Sequence, residues 1–302
     1  MWLDDGGTVL SSALRLTAPL AFAACGEYLA ERAGTLNISV EGMMLSGAFG
    51  AIAVGSATGS PSVGLFAGAV VGLLVALVHA NLSHRIQINT FVVGLVINAL
   101  VLGVTSFLLQ TMEFSRTQVS VLEVPGLSDI PLLGVVFAQR WPFYLLAIVI
   151  PLTWFLVNRT RWGLELRAVG ENPQAADVSG IKVNVRRRQA LMWCGVMSGL
   201  GGAYLSVGLV GSFNNNMTAG RGFIVIAAVI FGAWRLKGTM LGCFLFGAAD
   251  ALRLALPSLG VQLNAQLLVA APYLLALTVM VLMVKSQREP RALSKPFERG
   301  LV

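Results

Sequence analysis

Long apolar runs recur along this chain, and they constrain its fold more than any other feature. A helix needs about 20 apolar residues to cross the hydrocarbon core of a bilayer. Runs of roughly that length lie at residues 8–25, 40–57, 61–80, 90–111, 142–158, 189–211, 238–256 and 266–284, and a shorter run lies at 222–234. We therefore predict an all-α polytopic membrane protein that forms one transmembrane domain over residues 1–302, with about nine crossings (8–10).

The scarcity of charge supports this fold class. Charged residues make up 12% of the chain, against about 25% in an ordinary soluble protein. These few charges cannot cover the water-exposed surface of a soluble chain in which 56% of the residues are apolar. Lipid must therefore be the main solvent of the folded chain.

The net charge of +7 is concentrated in two segments. Residues 158–188 hold seven basic and three acidic residues, and residues 285–302 hold five basic and two acidic residues. Because loops rich in Lys and Arg stay on the cytoplasmic side, we predict a cytoplasmic loop and a cytoplasmic tail. Counting spans backwards then puts the N-terminus outside. A nucleic-acid-binding protein would carry its basic residues on a soluble face, so no nucleic-acid partner is expected.

The stretch from Cys25 to Met44 does not read as an ordinary loop. It carries Glu27, Glu31 and Glu41 but one basic residue, although span counting places it in the cytoplasm. Irregular backbone at membrane depth is tolerated where it lines a water-filled cavity. We therefore predict a broken or re-entrant segment that lines such a cavity.

Two parts of the chain share a pattern that suggests an internal repeat. Residues 36–42 and 216–222 each place an Asn, a charge and a Gly before a small-residue helix, and a glycine-spaced helix follows. The two copies would run in opposite directions across the membrane. Inverted repeats with broken helices are common in transporters, and the breaks point to the substrate site. Small residues four apart predict close helix packing within the chain: Gly64, Gly68, Gly72, Gly195, Gly199, Gly238 and Gly242.

The basic segment 158–188 contains signals for a short helix at about 173–179. Asn172 is a good N-cap, Pro173 suits the first helical position, and Gly180 suits the C-terminal cap. So short a helix needs a surface to dock on. Its small apolar face consists of Ala175, Ala176, Val178 and Ile181. It either packs on its own membrane domain or docks into a separate cytoplasmic partner.

Three motifs resemble those of ABC importer permeases for branched-chain amino acids, simple sugars and nucleosides. Residues 170–181 are similar to the signature Gly-x-Asn-x-x-Ala-Ala-x-x-x-Gly-Ile. Residues 31–44 resemble the opening motif of the nucleoside and simple-sugar branch, and residues 216–232 resemble its late motif. One departure is the turn at 234–238, which lacks a Pro between Trp234 and Gly238.

The resemblance implies a permease subunit in a prokaryotic cell membrane, most similar to the nucleoside branch, with simple sugars or branched-chain amino acids as alternative substrates. Such a permease pairs with a second permease, often a different chain, with two ATPase domains and with an extracytoplasmic binding protein or lipoprotein. It implies that the following residues couple the permease to the ATPases: Gly170, Glu171, Asn172, Pro173, Ala175, Ala176, Asp177, Gly180 and Ile181.

This chain is not expected to be an enzyme or to hold a cofactor or metal itself. A phosphate-binding loop needs a Lys in the context Gly-x-x-x-x-Gly-Lys-Ser/Thr, and none of Lys182, Lys237, Lys285 and Lys295 lies in one. ATP and Mg²⁺ would therefore bind to the partner ATPase.

Polar residues near the two breaks are candidates for the translocation path: Asn37, Glu41, Asn98, Asn214, Asn215, Asn216 and Arg221. Amides suit a polar, uncharged ligand because they donate and accept hydrogen bonds. Equally, several of these side chains could satisfy the backbone groups that broken helices leave unpaired. Glu41 and Arg221 could also pair with each other across the repeat.

Two other classes of function have candidate residues. An ion-coupled secondary transporter would need an intramembrane carboxylate such as Asp250, but Arg253 lies three residues on, where a same-helix ion pair can form. A membrane enzyme would need convergent titratable groups, and His79 and His84 alone do not provide them. The three cysteines lie in apolar runs and are predicted to be core residues.

Overall fold

The computed structural model describes residues 2–123, 134–256, 274 and 289–297, and only the backbone of residues 2–6. Helices dominate the described residues. They are α1 (Trp2–Arg32), α2 (Val40–Thr58), α3 (Pro61–His84), α4 (Thr90–Thr111), α5 (Gly134–Phe137), α6 (Trp141–Tyr144), α7 (Leu146–Arg159), α8 (Arg161–Glu171), α9 (Pro173–Val178), α10 (Val183–Ala203), a π-helix (Tyr204–Val210), α11 (Arg221–Phe231) and α12 (Leu236–Ala255). Strands β1 (Val121–Glu123) and β2 (Ala138–Arg140) form an antiparallel hairpin.

Seven helical segments of the described part are long and apolar enough to cross a membrane. They match seven of the predicted runs, and α10 continues through the π-helix to give one segment over Val183–Val210. The shorter run forms α11, which has 11 residues and the length of a half-helix. The run predicted at 266–284 lies outside the described residues. The polytopic all-α class is therefore confirmed, with nine as an approximate count.

Local capping signals set several helix ends. Ser60 caps α3 ahead of Pro61, and the Asn89 side chain accepts from the backbone N–H groups of Phe91 and Val92 at the start of α4. Gly59 adopts φ +67° and ends α2. Such caps satisfy N–H and C=O groups that a helix end leaves without partners.

The first break is shorter than predicted. The helix α1 continues to Arg32, so Glu27 and Glu31 lie on helical backbone, and only residues 33–39 are irregular. Both glutamates are completely buried, which contradicts a stretch lining a water-filled cavity at this point. Apolar residues of α1 continue around these carboxylates, and this favours helix over a loop.

Glycine contacts hold the centre of the bundle together. A Cβ on Gly72 would overlap the backbone of Gly195 and Gly199, and one on Gly47 would overlap Gly199. The glycine spacing therefore serves packing within the chain, as predicted, because it lets α2, α3 and α10 approach closely. The three cysteines are buried, as also predicted.

Helix contacts follow the order expected of two inverted units. In the first part α3 packs on α2 and α10, and in the second part α12 packs on α11 and α1. The helices α1 and α10 pack against each other between them. If α1 to α3 form one unit and α10 to α12 the other, the third helix of each unit packs on the first helix of the other unit. This arrangement agrees with an inverted repeat.

Basic residues gather at one end of the bundle, which we call the basic end. The side chain of Arg188 at the start of α10 donates to Asn81 near the end of α3 (2.8 Å). Trp162 of α8 donates to Gln189 (2.9 Å), and Ser294 of the tail donates to the carbonyl of Gly34 (3.1 Å). The ends of α1 and α3, the helices α8 and α9, and residues 289–297 therefore share this end.

A large side chain at Gly72 is expected to destabilise the fold. The Gly72→Leu substitution forces atoms into the α10 backbone, so the free energy of unfolding should fall by about 3 kcal/mol, the upper end of the usual cost of overpacking. Thermal unfolding of the purified chain in detergent measures this loss. The matched control is Gly103→Leu on α4, because a Cβ there meets no atom within 4 Å. Equal melting temperatures for the two variants would contradict the packing described.

Candidate functional site

A single carboxylate joins the two irregular segments of the bundle. Glu41 lies in the first turn of α2 and is 8% exposed. Its Oε1 accepts from the Thr218 hydroxyl (2.6 Å) and from the N–H of Gly220 (2.9 Å). Its Oε2 accepts from the N–H of Gly222 (2.6 Å). We call this cluster of four residues the Glu41 junction.

The position of this carboxylate has a physical reason. A helix N-terminus leaves N–H groups without partners and carries a partial positive charge. Glu41 lies at the N-terminus of α2, and Gly220 and Gly222 flank the first residue of α11. One negative charge therefore stabilises two helix starts that meet inside the bundle.

The closeness of the two helix starts depends on a glycine. A Cβ at Gly222 would lie 2.5 Å from the backbone N and Cα of Glu41. Any larger residue would push α11 away from α2. Of the charge–Gly pairs in the two copies, Glu41 of the first and Gly222 of the second therefore contact each other.

Asn98 of α4 braces the first break from the side. Its amide Nδ2 donates to the carbonyl of Ile38 (2.9 Å), and its Oδ1 accepts from the N–H of Gly42 (2.8 Å). Asn98 is half-buried. It therefore satisfies backbone groups of the broken helix, one of the two roles that the sequence left open.

Asn37 is fully buried and also caps the break. Its N–H donates to Glu27 Oε1 (3.1 Å), and its Oδ1 accepts from the N–H (3.1 Å) and hydroxyl (2.7 Å) of Ser39. Its Nδ2 faces the sulfur atoms of Met43 and Cys194. In this conformation the side chain supports the irregular backbone and has no exposed surface.

The two histidines support the same segment, a role that the sequence did not indicate. The hydroxyl of Ser39 lies 2.6 Å from His79 Nδ1, and His79 Nε2 lies 2.9 Å from the Thr90 hydroxyl. The Thr35 hydroxyl lies 3.0 Å from His84 Nε2. The only hint in the sequence was that both histidines lie on an otherwise apolar helix, where a buried imidazole needs hydrogen-bond partners.

Arg221 pairs with Asp250, so the predicted Glu41–Arg221 pair is wrong. Arg221 Nη2 lies 3.1 Å from Asp250 Oδ2, and Arg253 Nη2 lies 2.8 Å from Asp250 Oδ1. Both oxygens of Glu41 are occupied by the α11 start, while α12 packs directly against α11. The predicted ion pair of Asp250 with Arg253 is confirmed.

Three consecutive amides are exposed beside the Glu41 junction. Asn214, Asn215 and Asn216 lie between the π-helix and α11, and all three are exposed. Asn215 Oδ1 accepts from the Ser106 hydroxyl of α4 (2.6 Å), and Asn216 has φ +52°. The structure thus separates the predicted path residues into three groups. Asn214, Asn215 and Asn216 are exposed amides, and Arg221 forms an ion pair with Asp250. The remaining three bind to backbone groups at the broken helices: Asn37, Glu41 and Asn98.

A buried acidic cluster lies next to the first break. Glu31 Oε2 accepts from the indole N–H of Trp234 (2.5 Å), and the thiol of Cys194 lies 3.2 Å from Glu27 Oε2. Glu31 Oε1 has no hydrogen-bond partner among the described residues. These contacts tie α1 to α10 and to the turn after α11.

The short helix predicted in the basic segment is present as α9. Asn172 Oδ1 accepts from the N–H of Ala175 (3.0 Å), and Pro173 begins the helix. Gly180 has φ +84°, and the N–H of Ile181 donates to the carbonyl of Ala176 (3.0 Å). The capping prediction is confirmed, with the helix ending at Val178. The preceding helix α8 was not predicted.

The apolar face of α9 is divided. Ala176 is 4% exposed and packs with Val169, Val183 and Phe297. Val178, in contrast, is 91% exposed, and Ala175 is exposed as well. One side of α9 therefore packs on its own chain, and the other side presents apolar surface to an environment outside it. Glu171 is also exposed.

The tail contacts α8 and α10 and links them to the first break. The sequence did not reveal this connection. Arg187 is 1% exposed, and its guanidinium donates to the carbonyls of Ala33 (3.2 Å), Ala292 (3.4 Å) and Lys295 (2.7 Å). The N–H of Ala292 donates to the carbonyl of Gly170 (2.9 Å). A Cβ on Gly170 would overlap the carbonyl of Arg32. The end of α1 is therefore in direct contact with α8, and Arg187 of α10 joins it to the tail.

Comparison with known proteins places this architecture in a family. The family described as "Branched-chain amino acid transport system / permease component" matches residues 9–284. The nucleoside ABC transporter permease protein NupC of Lactococcus lactis is 33% identical over 301 residues, 94% of each chain.

Two further relatives extend the comparison. The guanosine ABC transporter permease protein NupQ of Bacillus subtilis is 31% identical over 309 residues, 97% of each chain. The putative glucose ABC transporter permease protein TsgC13 of Haloferax volcanii is 35% identical over 266 residues, 85% of this chain and 80% of its own. The chain therefore belongs to the permease component family of branched-chain amino acid transport systems, as the multi-pass membrane subunit of an ABC transporter.

Proposed function

We propose that this permease forms the path by which nucleosides enter the cell, driven by ATP hydrolysis on partner subunits. The observation that carries the proposal is the row of exposed amides, Asn214 to Asn216, beside the Glu41 junction. Amides donate and accept hydrogen bonds without charge, as the hydroxyls and base edges of a nucleoside require. The names of the NupC and NupQ relatives support the substrate class.

The remaining parts of the proposed transporter follow from the chain's own surfaces. The exposed side of α9, which includes Val178 at the end of the helix, would dock into an ATPase subunit, to which ATP and Mg²⁺ bind. Within residues 170–181, the residues that cap α9 and pack it on its own chain would couple the permease to the ATPase. A second permease would complete the path, and an extracytoplasmic binding protein or lipoprotein would deliver the substrate. The basic end would then face the cytoplasm.

An uptake experiment distinguishes the substrate classes. The permease is expressed with the ATPase, second permease and lipoprotein of its own system in cells lacking nucleoside importers. We expect ATP-dependent uptake of labelled guanosine, with competition by other nucleosides and none by glucose or leucine. Saturable glucose uptake through the same system would overturn the nucleoside proposal in favour of the function named for TsgC13.

The amide row is tested within the same assay. Asn214→Ala removes one exposed amide, so uptake at guanosine concentrations well below saturation should fall roughly 2- to 12-fold, the equivalent of one hydrogen bond of about 0.5–1.5 kcal/mol. Gln110→Ala on α4 removes an exposed amide elsewhere and should leave uptake unchanged. An unaltered rate in Asn214→Ala would argue against contact between this amide and the substrate.

A further inference from the structure

A cleft opens between α7 and α12 at the basic end of the bundle. Both helices pack on α1, which forms the floor of the cleft. Its polar part is lined by residues of α1, α7 and the turn into α12, among them Arg32, Trp154, Trp234, Arg235, Leu236 and Lys237. This cleft plays no part in the Glu41 junction or in the contacts of α9.

Three cations of this cleft have no acidic partner among the residues that the structure describes. Arg32, Arg235 and Lys237 take part in none of the ion pairs formed among the described residues. The Nε of Arg32 is buried and has no hydrogen-bond partner in the part of the chain that the structure describes. Because buried donors are normally satisfied, this arrangement favours binding of an anion in the cleft.

The cleft continues into an apolar groove. The groove is lined by Ile150, Pro151 and Met240, and it shares Trp154, Leu236 and Lys237 with the polar part. Trp154 is 41% exposed, and the guanidinium of Arg159 lies 5.6 Å from its ring centre. Aromatic and basic residues together mark the level of lipid headgroups at the membrane interface. A single site thus combines a cationic pocket with an apolar channel alongside it.

We propose that this cleft binds an anionic glycerophospholipid, whose phosphate contacts Arg32, Arg235 and Lys237 and whose acyl chain lies along Ile150, Pro151 and Met240. Basic pockets between transmembrane helices on the cytoplasmic side suit anionic headgroups. Free phosphate would satisfy the cations but leave the groove empty. A zwitterionic lipid would fill the groove but bring an additional positive charge to the pocket.

The bound lipid would stabilise the turn between α11 and α12. Ala233 and Trp234 have φ +50° and +52°, values that cost energy for residues other than Gly. Trp234 forms part of the cleft and donates to the buried Glu31 of α1. Lipid contacts on the outer side of this turn therefore hold α1, α11 and α12 together at the basic end.

Native mass spectrometry of the purified full-length chain tests the proposal. Phosphatidylglycerol is titrated against phosphatidylcholine of the same acyl chains, and inorganic phosphate serves as the headgroup-only probe. We expect at least tenfold tighter binding of phosphatidylglycerol. In Arg235→Gln/Lys237→Gln its affinity should fall about 30-fold, since each basic residue near an anionic surface contributes about fivefold. Both side chains are exposed, so the fold should tolerate the exchange.

Two controls separate this site from general surface charge. Arg85→Gln/Arg161→Gln removes the same charge from exposed positions outside the cleft and should leave the affinity unchanged. Met240→Trp fills the groove and should weaken lipid binding without affecting phosphate. Equal losses in the two double variants, complete displacement of lipid by phosphate, or absence of bound phosphatidylglycerol from the assembled transporter would each overturn the proposal.

Discussion

Replacing Glu41 with alanine is expected to reduce transport more than a hundredfold. The substitution removes the acceptor of three hydrogen bonds at once and leaves the Thr218 hydroxyl and the N–H groups of Gly220 and Gly222 without partners. Each unsatisfied buried donor costs about 1–3 kcal/mol, so the starts of α2 and α11 should separate. Uptake of labelled substrate by the assembled transporter measures the loss.

Two further variants make this prediction specific. Glu41→Gln keeps the shape and one acceptor oxygen, so its activity should lie between those of the alanine variant and the unaltered protein. Glu113→Ala removes an exposed carboxylate beyond the end of α4 and should transport normally. Melting temperatures show whether each chain is folded. Full transport by Glu41→Ala would mean that the junction is dispensable.

Replacing Val178 with glutamate is expected to uncouple the permease from its ATPase without unfolding it. Val178 is 91% exposed, so a charged side chain there disturbs no contact of the folded chain. If α9 docks into a partner, the glutamate either brings its charge into the apolar contact or stays in water. In both cases the burial of apolar surface that Val178 provides is lost. Burial of a valine contributes about 1.5–3 kcal/mol, so association should weaken at least tenfold.

Copurification of the ATPase and substrate-stimulated ATP hydrolysis are the measurements. Leu122→Glu in β1 is the matched control, because it places the same charge on a half-exposed apolar residue away from α9. Bulky replacements of Gly170 or Ala176 are less informative, since both residues contact their own chain and would affect folding as well. Normal ATPase binding by Val178→Glu would contradict docking through this face.

Features that depend on local sequence could be predicted. The spans follow from run length, and α9 follows from the cap at Asn172 and the left-handed Gly180, because these signals act within a few residues. The pairing of Asp250 with Arg253 was equally local. The family motifs also lie in continuous stretches, which is why the class of protein could be expected from residues 31–44, 170–181 and 216–232.

Partners that are distant along the chain could not be predicted. Glu41 and Asp250 are both possible counter-ions for Arg221, and the charge pattern cannot choose between them. The choice depends on α12 packing against α11 and on the amides at the start of α11 occupying Glu41. The contacts of Arg187 with the tail were hidden for a related reason, since a buried arginine that donates to carbonyl groups leaves no acidic partner in the sequence.

The Glu41 junction also constrains the order in which the chain can mature in the membrane. Its hydrogen bonds join residues 177 to 181 positions apart. Chains emerge from the ribosome N-terminus first, so α2 is made long before its partner segment exists. During that interval the carboxylate must remain hydrated or be shielded by the insertion machinery, because an unpaired charge is costly in lipid. The hydrogen bonds of Glu41 can form only after residues 218–222 have been synthesised. The contact between α2 and α11 is therefore a late step of assembly.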